Sequence, residues 1–229
     1  MRSALITVVV VLAASAGLAH GANIEASGWE TFPVGDTGAG IYATDAPQPT
    51  DCTEPLLGKY GDIDEIVVDD IVHSGSRALK LTDQDTGTPQ AYVGWITGLQ
   101  TGDEVTAGLW FYDTTPSASP SGRIWGHYTD AGGTINDYAG SASGNYTYPD
   151  GTGWSYLEWT WTFDDDGGTR DGLVIEARTY GDPGAVVYVD DLTITAPDAS
   201  TITKPELPEP ATMALLGLGG LFVLRRRRA

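Results

Sequence analysis

Residues 155–163, Ser-Tyr-Leu-Glu-Trp-Thr-Trp-Thr-Phe, carry the clearest structural pattern in the chain. Every second position holds a large apolar side chain: Leu157, Trp159, Trp161 and Phe163. Successive side chains of a β-strand point to opposite faces of a sheet, so a period of two places these four on a hydrophobic core. The stretch therefore predicts a strand with one buried face.

Segments of the same kind recur on both sides of this strand, separated by short turns rich in Gly and Asp. The candidate strands are residues 65–72, 78–82, 91–96, 104–112, 155–163, 172–179 and 186–195. Helical periodicity does not extend over any useful length between them. Short strands at this spacing are typical of an antiparallel β-sandwich, and we expect one all-β domain over residues 23–195.

Residues 113–153 lack a clear strand pattern and are expected to form a long loop. Loops of that length in a compact domain are often functional. This one carries four aromatic residues of interest, Trp125, Tyr128, Tyr138 and Tyr146. Aromatic rings offer apolar faces to the C–H surfaces of sugars, which makes these four candidate ligand-binding residues. The alternative is that they pack the loop onto the sandwich.

The N-terminus has the pattern of a secretory signal peptide over residues 1–22. Arg2 precedes an apolar run over residues 4–18, and small residues follow through Ala19 and Ala22. A positive start, a short apolar stretch and small residues at the cleavage region define such signals. We expect cleavage after Ala19 or Ala22 and export of the domain.

The C-terminal residues 208–229 combine three features. The motif Pro208-Glu209-Pro210 is followed by the apolar residues 211–224 and then by Arg225, Arg226, Arg227 and Arg228. Fourteen residues as a helix would reach about 21 Å, less than the roughly 30 Å of a bilayer core, so spanning requires tilt or local thinning. The arginines favour a cytoplasmic end. Residues 196–207, with several Pro, Thr and Ser, are expected to be a linker.

This order of motif, apolar helix and arginine cluster resembles the PEP-CTERM sorting signal. The resemblance implies processing by an exosortase, a membrane-embedded cysteine protease. It also implies that the C-terminal helix holds the chain in the inner membrane during transit. After removal of the tail, the protein would reach the cell surface or the extracellular matrix, commonly in organisms that make exopolysaccharide. An ordinary tail anchor that stays in the membrane is the alternative.

The charge balance limits the partners that the domain can have. The chain has 12 basic and 31 acidic residues, and five of the basic ones are Arg2 and the terminal arginines. Nucleic acid is therefore not expected as a partner. The carboxylates could bind divalent cations or simply form a solvated surface. Cys52 is the single cysteine, which excludes an intramolecular disulfide and leaves a free thiol or, as the alternative, an intermolecular disulfide.

An acidic pair interrupts the last predicted strand. Asp190 and Asp191 follow Val187-Tyr188-Val189, in a segment that otherwise reads as core. Unpaired carboxylates are costly to bury. A bound cation or a solvent-facing strand edge would each explain the pair.

Three segments resemble the jelly-roll carbohydrate-binding-module superfamily, which has a galactose-binding-like fold. They are Gly28-Trp29-Glu30, His-Ser-Gly-Ser-Arg-Ala-Leu-Lys-Leu at residues 73–81, and Val-Tyr-Val-Asp-Asp-Leu at residues 187–192. The resemblance implies a jelly-roll sandwich with a structural Ca²⁺ held by Glu30, Asp190 and a backbone carbonyl near Ser76. Calcium prefers six to eight oxygen ligands of these types. Alternatively, the two carboxylates accept hydrogen bonds or face water.

Sequence motifs for catalysis are not found: neither HExxH, nor GxSxG, nor a Walker loop. We therefore expect no catalytic residues. The expected function is that of an exported, non-catalytic sandwich that binds polysaccharide at the cell surface. A structural matrix protein without a specific ligand and a glycan-cleaving enzyme are the alternatives.

Overall fold

All regular structure in the described part of the chain is β-strand. The computed structural model describes residues 22–37, 54–84, 87–114, 121–145 and 152–206. The strands are β1 (Ala22–Ser27), β2 (Gly58–Tyr60), β3 (Ile63–Val68), β4 (Ala78–Asp83), β5 (Gln90–Thr97), β6 (Glu104–Asp113), β7 (Ser121–Asp130), β8 (Tyr138–Gly144), β9 (Gly153–Thr162), β10 (Arg170–Tyr180), β11 (Val186–Pro197) and β12 (Thr201–Thr203). Within these ranges there is no helix long and apolar enough to cross a membrane.

The strands form two antiparallel sheets packed face to face. The first sheet has the order β3-β4-β11-β6-β9, with β1 paired to β11. The second has the order β12-β5-β10-β7-β8, with β2 paired to β5. The all-β antiparallel sandwich expected from the sequence is thus confirmed, and all seven predicted strands are present within a few residues of their expected bounds.

The core lies between the two sheets and contains the apolar side chains that strand alternation predicted. Leu157 and Trp161 of β9 and Phe163, the residue after it, are buried, with 6%, 3% and 1% of their surface exposed. Trp159 is partly buried against the same cluster. The near-complete removal of these side chains from water is the main stabilising term of the fold.

The prediction of a long loop over residues 113–153 is wrong, because that stretch contains β7 and β8. The apolar alternation of these two strands is interrupted by glycines, which are required where backbone atoms of neighbouring strands come close. A Cβ at Gly126 would lie 3.0 Å from the Val174 carbonyl oxygen, and one at Gly144 would lie 2.4 Å from that of Ile124. Glycine at such positions interrupts the apolar alternation while the backbone still pairs.

The linker expected over residues 196–207 is structured over much of its length. β11 continues to Pro197, and β12 pairs with β5 through Thr201–Thr203. Ser27 Oγ then donates to the Pro205 carbonyl oxygen at 2.7 Å, so the sandwich extends to Pro205. The signal peptide apart from its last residue, Cys52 and the C-terminal apolar segment lie outside the described residues.

Candidate functional site

A cleft of about 750 Å³ opens on the outer face of the second sheet. It crosses five strands, from β2 at one side to β8 at the other. The lining residues are Lys59, Tyr60, Gln90, Tyr92, Trp125, Asn136, Tyr138, Ser141 and Arg178. Of these strands, only the neighbours β7 and β8 are also consecutive along the chain. The site therefore exists only once the sheet has formed.

Strand alternation divides β7 and β10 between the core and the cleft. Ile124 on β7 and Ala177 on β10 are fully buried in the core between the sheets. Their neighbours Trp125 and Arg178 point the other way and line the cleft. The same period of two that builds the core therefore supplies the site.

The floor of the cleft is a buried charged network. His127 Nδ1 lies 2.5 Å from Glu176 Oε1, and Arg178 Nε donates to Glu176 Oε2 at 2.5 Å. Glu176 is fully buried and His127 is 1% exposed. Because each carboxylate oxygen has a partner, the burial of Glu176 is compensated by charge-assisted hydrogen bonds. The network fixes the side chains of β7 and β10 beneath the cleft.

Tyr92 packs beside this network, with its ring centroid 5.0 Å from that of His127. Burial, and secondly the negative charge of Glu176, raise the pKa of Tyr92 far above its ordinary value of 10.0. Tyr92 is therefore a neutral phenol over the physiological pH range, able both to donate and to accept a hydrogen bond.

Two exposed tyrosines flank the cleft. Tyr60 on β2 is 64% exposed and Tyr138 on β8 is 63% exposed. The two strands are separated by four steps of the second sheet, which corresponds to about 19 Å at the usual strand spacing. Between them Trp125 is held by a hydrogen bond of 3.1 Å from its Nε1 to Ser141 Oγ. The arrangement is an elongated aromatic-lined groove with polar groups along it.

The sequence-predicted ligand residues divide into three cases. Trp125 and Tyr138 line the cleft. Tyr128 faces the interior, where its ring centroid lies 5.6 Å from that of Phe163 and the Arg170 guanidinium lies 4.7 Å above it, so it is placed outside the site. Tyr146 lies outside the described residues.

Sequence reasoning missed most of the cleft. Tyr60 belongs to a strand of three residues, too short for any periodicity to show. Arg178 and Tyr92 lie in strands that were predicted correctly. Each follows a small apolar residue, Ala177 or Ala91, that faces the core, so the alternation of the strand indicates that Arg178 and Tyr92 face outward. That signal gives the face of a residue but not its neighbours across the sheet.

A second cluster of polar contacts lies at the turn before β4. Asp190 Oδ2 accepts the backbone N–H groups of His73 and Ser74 at 2.8 and 3.2 Å. Glu30 accepts the backbone N–H groups of Ser76 and Arg77, the shorter contacts being 2.9 and 3.1 Å. The two carboxylates therefore hold the same turn from two sides, and the structure brings Glu30, Ser76 and Asp190 into one region.

The local backbone explains the acidic pair in β11. Asp190 and Asp191 stand where β11 changes its partner from β4 to β1 and where its register with β6 shifts. Asp191 has a left-handed φ of 48°, and its N–H donates to Asp190 Oδ1 at 2.8 Å. Burial is the largest influence on Asp190 and raises its pKa to about 6. The pair thus marks a break in the ladder, not a regular strand.

The contacts of Ser76 differ from those expected of a residue whose carbonyl oxygen binds calcium. Its N–H and hydroxyl both donate to Glu30, while its carbonyl oxygen accepts from Arg77 Nη1 at 2.7 Å. Among the described residues, no group of three or more His, Cys, Asp or Glu side chains is spaced to hold a metal ion.

Comparison with solved structures identifies similar folds. The N-terminal CBM22-1–CBM22-2 tandem domain of Xyn10C from Paenibacillus barcinonensis matches with a TM-score of 0.50 and 14% identity, covering 85% of this chain and 49% of that one. The CBM22-1 xylan-binding domain of the same protein matches with a TM-score of 0.46 and 15% identity, covering 78% and 97%. Its CBM22-2 xylan-binding domain gives 0.45 and 22%, covering 75% and 98%.

Two comparisons were made at the level of sequence, one with curated proteins and one with models of protein families. A search of curated proteins finds no match. The PEP-CTERM protein-sorting motif matches residues 206–228, which confirms the resemblance seen in the C-terminal sequence. The chain thus carries a PEP-CTERM protein-sorting motif, preceded by an antiparallel β-sandwich similar in fold to carbohydrate-binding modules.

Proposed function

We propose that this is an exported cell-surface or extracellular-matrix protein whose sandwich binds polysaccharide in the cleft of the second sheet without cleaving it. The observation that carries the proposal is the cleft itself, an elongated groove with Tyr60 and Tyr138 exposed at its two sides and Trp125 between them. The sorting motif supports export and exosortase processing.

The lining residues suit sugar rings in two ways. Aromatic faces pack against the C–H surfaces of a sugar, and such rings lose little conformational entropy on binding. Gln90, Asn136 and Ser141 supply both donors and acceptors for hydroxyl groups. The nine described lining residues include no Asp or Glu, and Glu176 beneath them is fully buried with both carboxylate oxygens bonded, whereas most glycosidases act with a pair of Asp or Glu residues. This composition favours binding over hydrolysis.

The test is retention on immobilised polysaccharides. The full-length chain, kept soluble in a non-ionic detergent, is passed through affinity gels that contain a panel of plant and bacterial polysaccharides. We expect retention by at least one of them, displaced by the same polysaccharide in solution. A chain that is retained by none of the panel contradicts the proposal and supports a structural matrix protein.

A matched pair of variants locates the site. Trp125→Ala removes a half-buried tryptophan from the cleft, and Trp154→Ala removes a half-buried tryptophan from β9 of the first sheet. We expect the first variant to lose retention and the second to keep it. Equal losses, with both variants folded by circular dichroism, would place binding elsewhere.

We further propose that a structural Ca²⁺ binds between the Glu30 and Asp190 carboxylates, with a backbone carbonyl oxygen of the turn around Ser76 as a further ligand. The donors are all oxygen, and the Asp191 carboxylate lies close by, since a Cβ at Gly28 would be 3.3 Å from both Asp190 Oδ1 and Asp191 Oδ1. A cation would favour ionisation of Asp190, whose pKa is raised by burial. Its role would be to tie the segment after β1, which carries Glu30, and strand β11, which carries Asp190, to the turn at residues 73–77.

The calcium proposal competes with a simpler arrangement in which the N–H donors alone hold the turn. Melting temperature separates the two. With calcium bound, the wild-type chain should melt higher in Ca²⁺ than in chelator, and Glu30→Gln should abolish that difference. A melting temperature that is the same in both conditions would leave the hydrogen bonds as the whole explanation.

A further inference from the structure

The cleft is the basic part of an acidic protein. Acidic residues outnumber basic ones by 31 to 12 in the chain. Yet the only charged residues among the nine that the structure places in the cleft wall are the cations Lys59 and Arg178. A groove that binds only neutral sugars does not require cationic side chains in its wall.

Arg178 is held in a fixed position with part of its guanidinium available. Its Nε is used by Glu176, its Cζ lies 4.9 Å from the Trp125 ring centroid, and its side chain is 15% exposed. The η nitrogens make no hydrogen bond to any residue in the described ranges. A guanidinium that is already immobilised offers a planar pair of donors at little further entropic cost.

A second arginine lies directly opposite on the neighbouring strand. Arg178 on β10 pairs with Arg123 on β7, and the Arg123 guanidinium lies 4.9 Å from the Tyr180 ring centroid. Each arginine is stacked on an aromatic ring of the same face, so the two cations are held side by side on neighbouring strands.

The carboxylates bonded to the two cations of the cleft wall are both buried. Glu176 is fully buried, with both oxygens bonded to Arg178 and His127. Glu65 is 5% exposed and bonded to Lys59 at 3.1 Å. Glu176 lies beside Arg178 on the same face of β10 and orients it, whereas Lys59 Nζ is held by Glu65 and by the Ile63 carbonyl oxygen of the first sheet, at 3.1 and 2.9 Å.

We propose that the cleft selects polysaccharides that carry uronic acid residues, with a sugar carboxylate bound by the Arg178 guanidinium. This inference rests on the proposed function, since it names the ligand class of the same cleft. A carboxylate matches the planar fork of arginine and forms two parallel charge-assisted hydrogen bonds with it.

The acidity of the whole protein opposes a polyanion, but only at long range. At about 0.15 M ionic strength the Debye length is about 8 Å, so distant carboxylates act weakly on a bound sugar. Contacts at hydrogen-bond distance inside the cleft are screened much less. Selection for a carboxylate is therefore a short-range property of Arg178, and the assay belongs at physiological salt.

The experiment compares one polysaccharide with its own reduced form. Polygalacturonate and glucuronoxylan are each used intact and after carbodiimide activation and borohydride reduction, which converts the carboxylates to hydroxymethyl groups with the backbone unchanged. We expect the full-length chain to bind an intact form at least about tenfold more tightly, the effect of one charge-assisted contact. Equal binding to both forms overturns this inference and leaves the proposed function intact. Binding to no polysaccharide, acidic or neutral, overturns both.

Variants assign the effect to a residue. Arg178→Lys keeps the charge but removes the fork, and should reduce the preference for the intact form. The double variant Glu176→Gln with Arg178→Gln removes a buried charge together with its partner, and should abolish the preference. Arg170→Gln is the control, because Arg170 also stacks on an aromatic ring, that of Tyr128, but does not line the cleft. A full preference in the folded Arg178→Lys and double variants would exclude Arg178 as the selecting residue.

Discussion

Replacing Tyr138 by Ala should weaken polysaccharide binding about tenfold while leaving the fold unchanged. Tyr138 is 63% exposed, and an aromatic side chain has roughly 200 Å² to bury. If a sugar covers half of the exposed part, about 60 Å² leaves water, which is worth about 1.5 kcal/mol at ~25 cal/mol per Å². That energy corresponds to about a tenfold change in Kd.

The matched control is Tyr156→Ala. Tyr156 is a 42% exposed tyrosine on β9 of the first sheet, with its hydroxyl donating to Glu158 Oε2 at 3.0 Å. Both variants remove an exposed ring, so each should change the free energy of unfolding by no more than about 0.5 kcal/mol. Isothermal titration with the retained polysaccharide should show the loss for Tyr138→Ala alone. An unchanged Kd for Tyr138→Ala, or an equal loss in both, would refute the assignment of the cleft.

Two predictions concern stability. Gly75 has a φ of +63° and a Cβ there would lie 2.2 Å from Glu30 Oε1, so Gly75→Ala should cost more than the roughly 1–2 kcal/mol of the left-handed conformation alone. Gly35→Ala, with a φ of +85° and open space around it, should cost only that amount in urea denaturation, and equal losses would contradict the contact with Glu30. For Glu65, burial raises the pKa from 4.5 although Lys59 opposes the shift. Wild-type stability relative to Glu65→Gln should therefore fall as the pH rises above about 4.5, whereas a relative gain would show that the ion pair with Lys59 dominates.

Local pattern was enough for most of the sandwich. The alternation at residues 155–163 gave β9 with its core face, because large apolar residues at a period of two have few other arrangements. β7 and β8 were missed because Gly126 and Gly144 stand where backbone atoms of the neighbouring strands approach too closely for a side chain. The close approach is a tertiary requirement, and the sequence shows only a gap in the apolar pattern.

The candidate site was harder to predict than the fold. Trp125, Tyr128 and Tyr138 were grouped by residue type, but the parity of β7 sends Tyr128 to the core and Trp125 to the cleft. Tyr60 and Arg178 come from strands far apart in sequence that are joined only through β5. A site assembled across a sheet depends on strand order and register, and neither is encoded in local periodicity.

The short distance between the sandwich and the sorting motif leads to a last prediction. The domain is held as far as Pro205 by the hydrogen bond from Ser27, so only Glu206 and Leu207 separate it from the motif at 208–210. Two extended residues span about 7 Å, which brings a protease that binds the motif close to the folded domain. In a host with an exosortase, a flexible Gly-Ser insert between Pro205 and Glu206, just outside the matched residues 206–228, should therefore speed processing, followed as loss of the tail by mass spectrometry. Replacing residues 208–210 by Ala should stop it. An insert that slows processing would mean that the protease uses the sandwich as part of its recognition surface, since added chain would then separate two halves of one substrate.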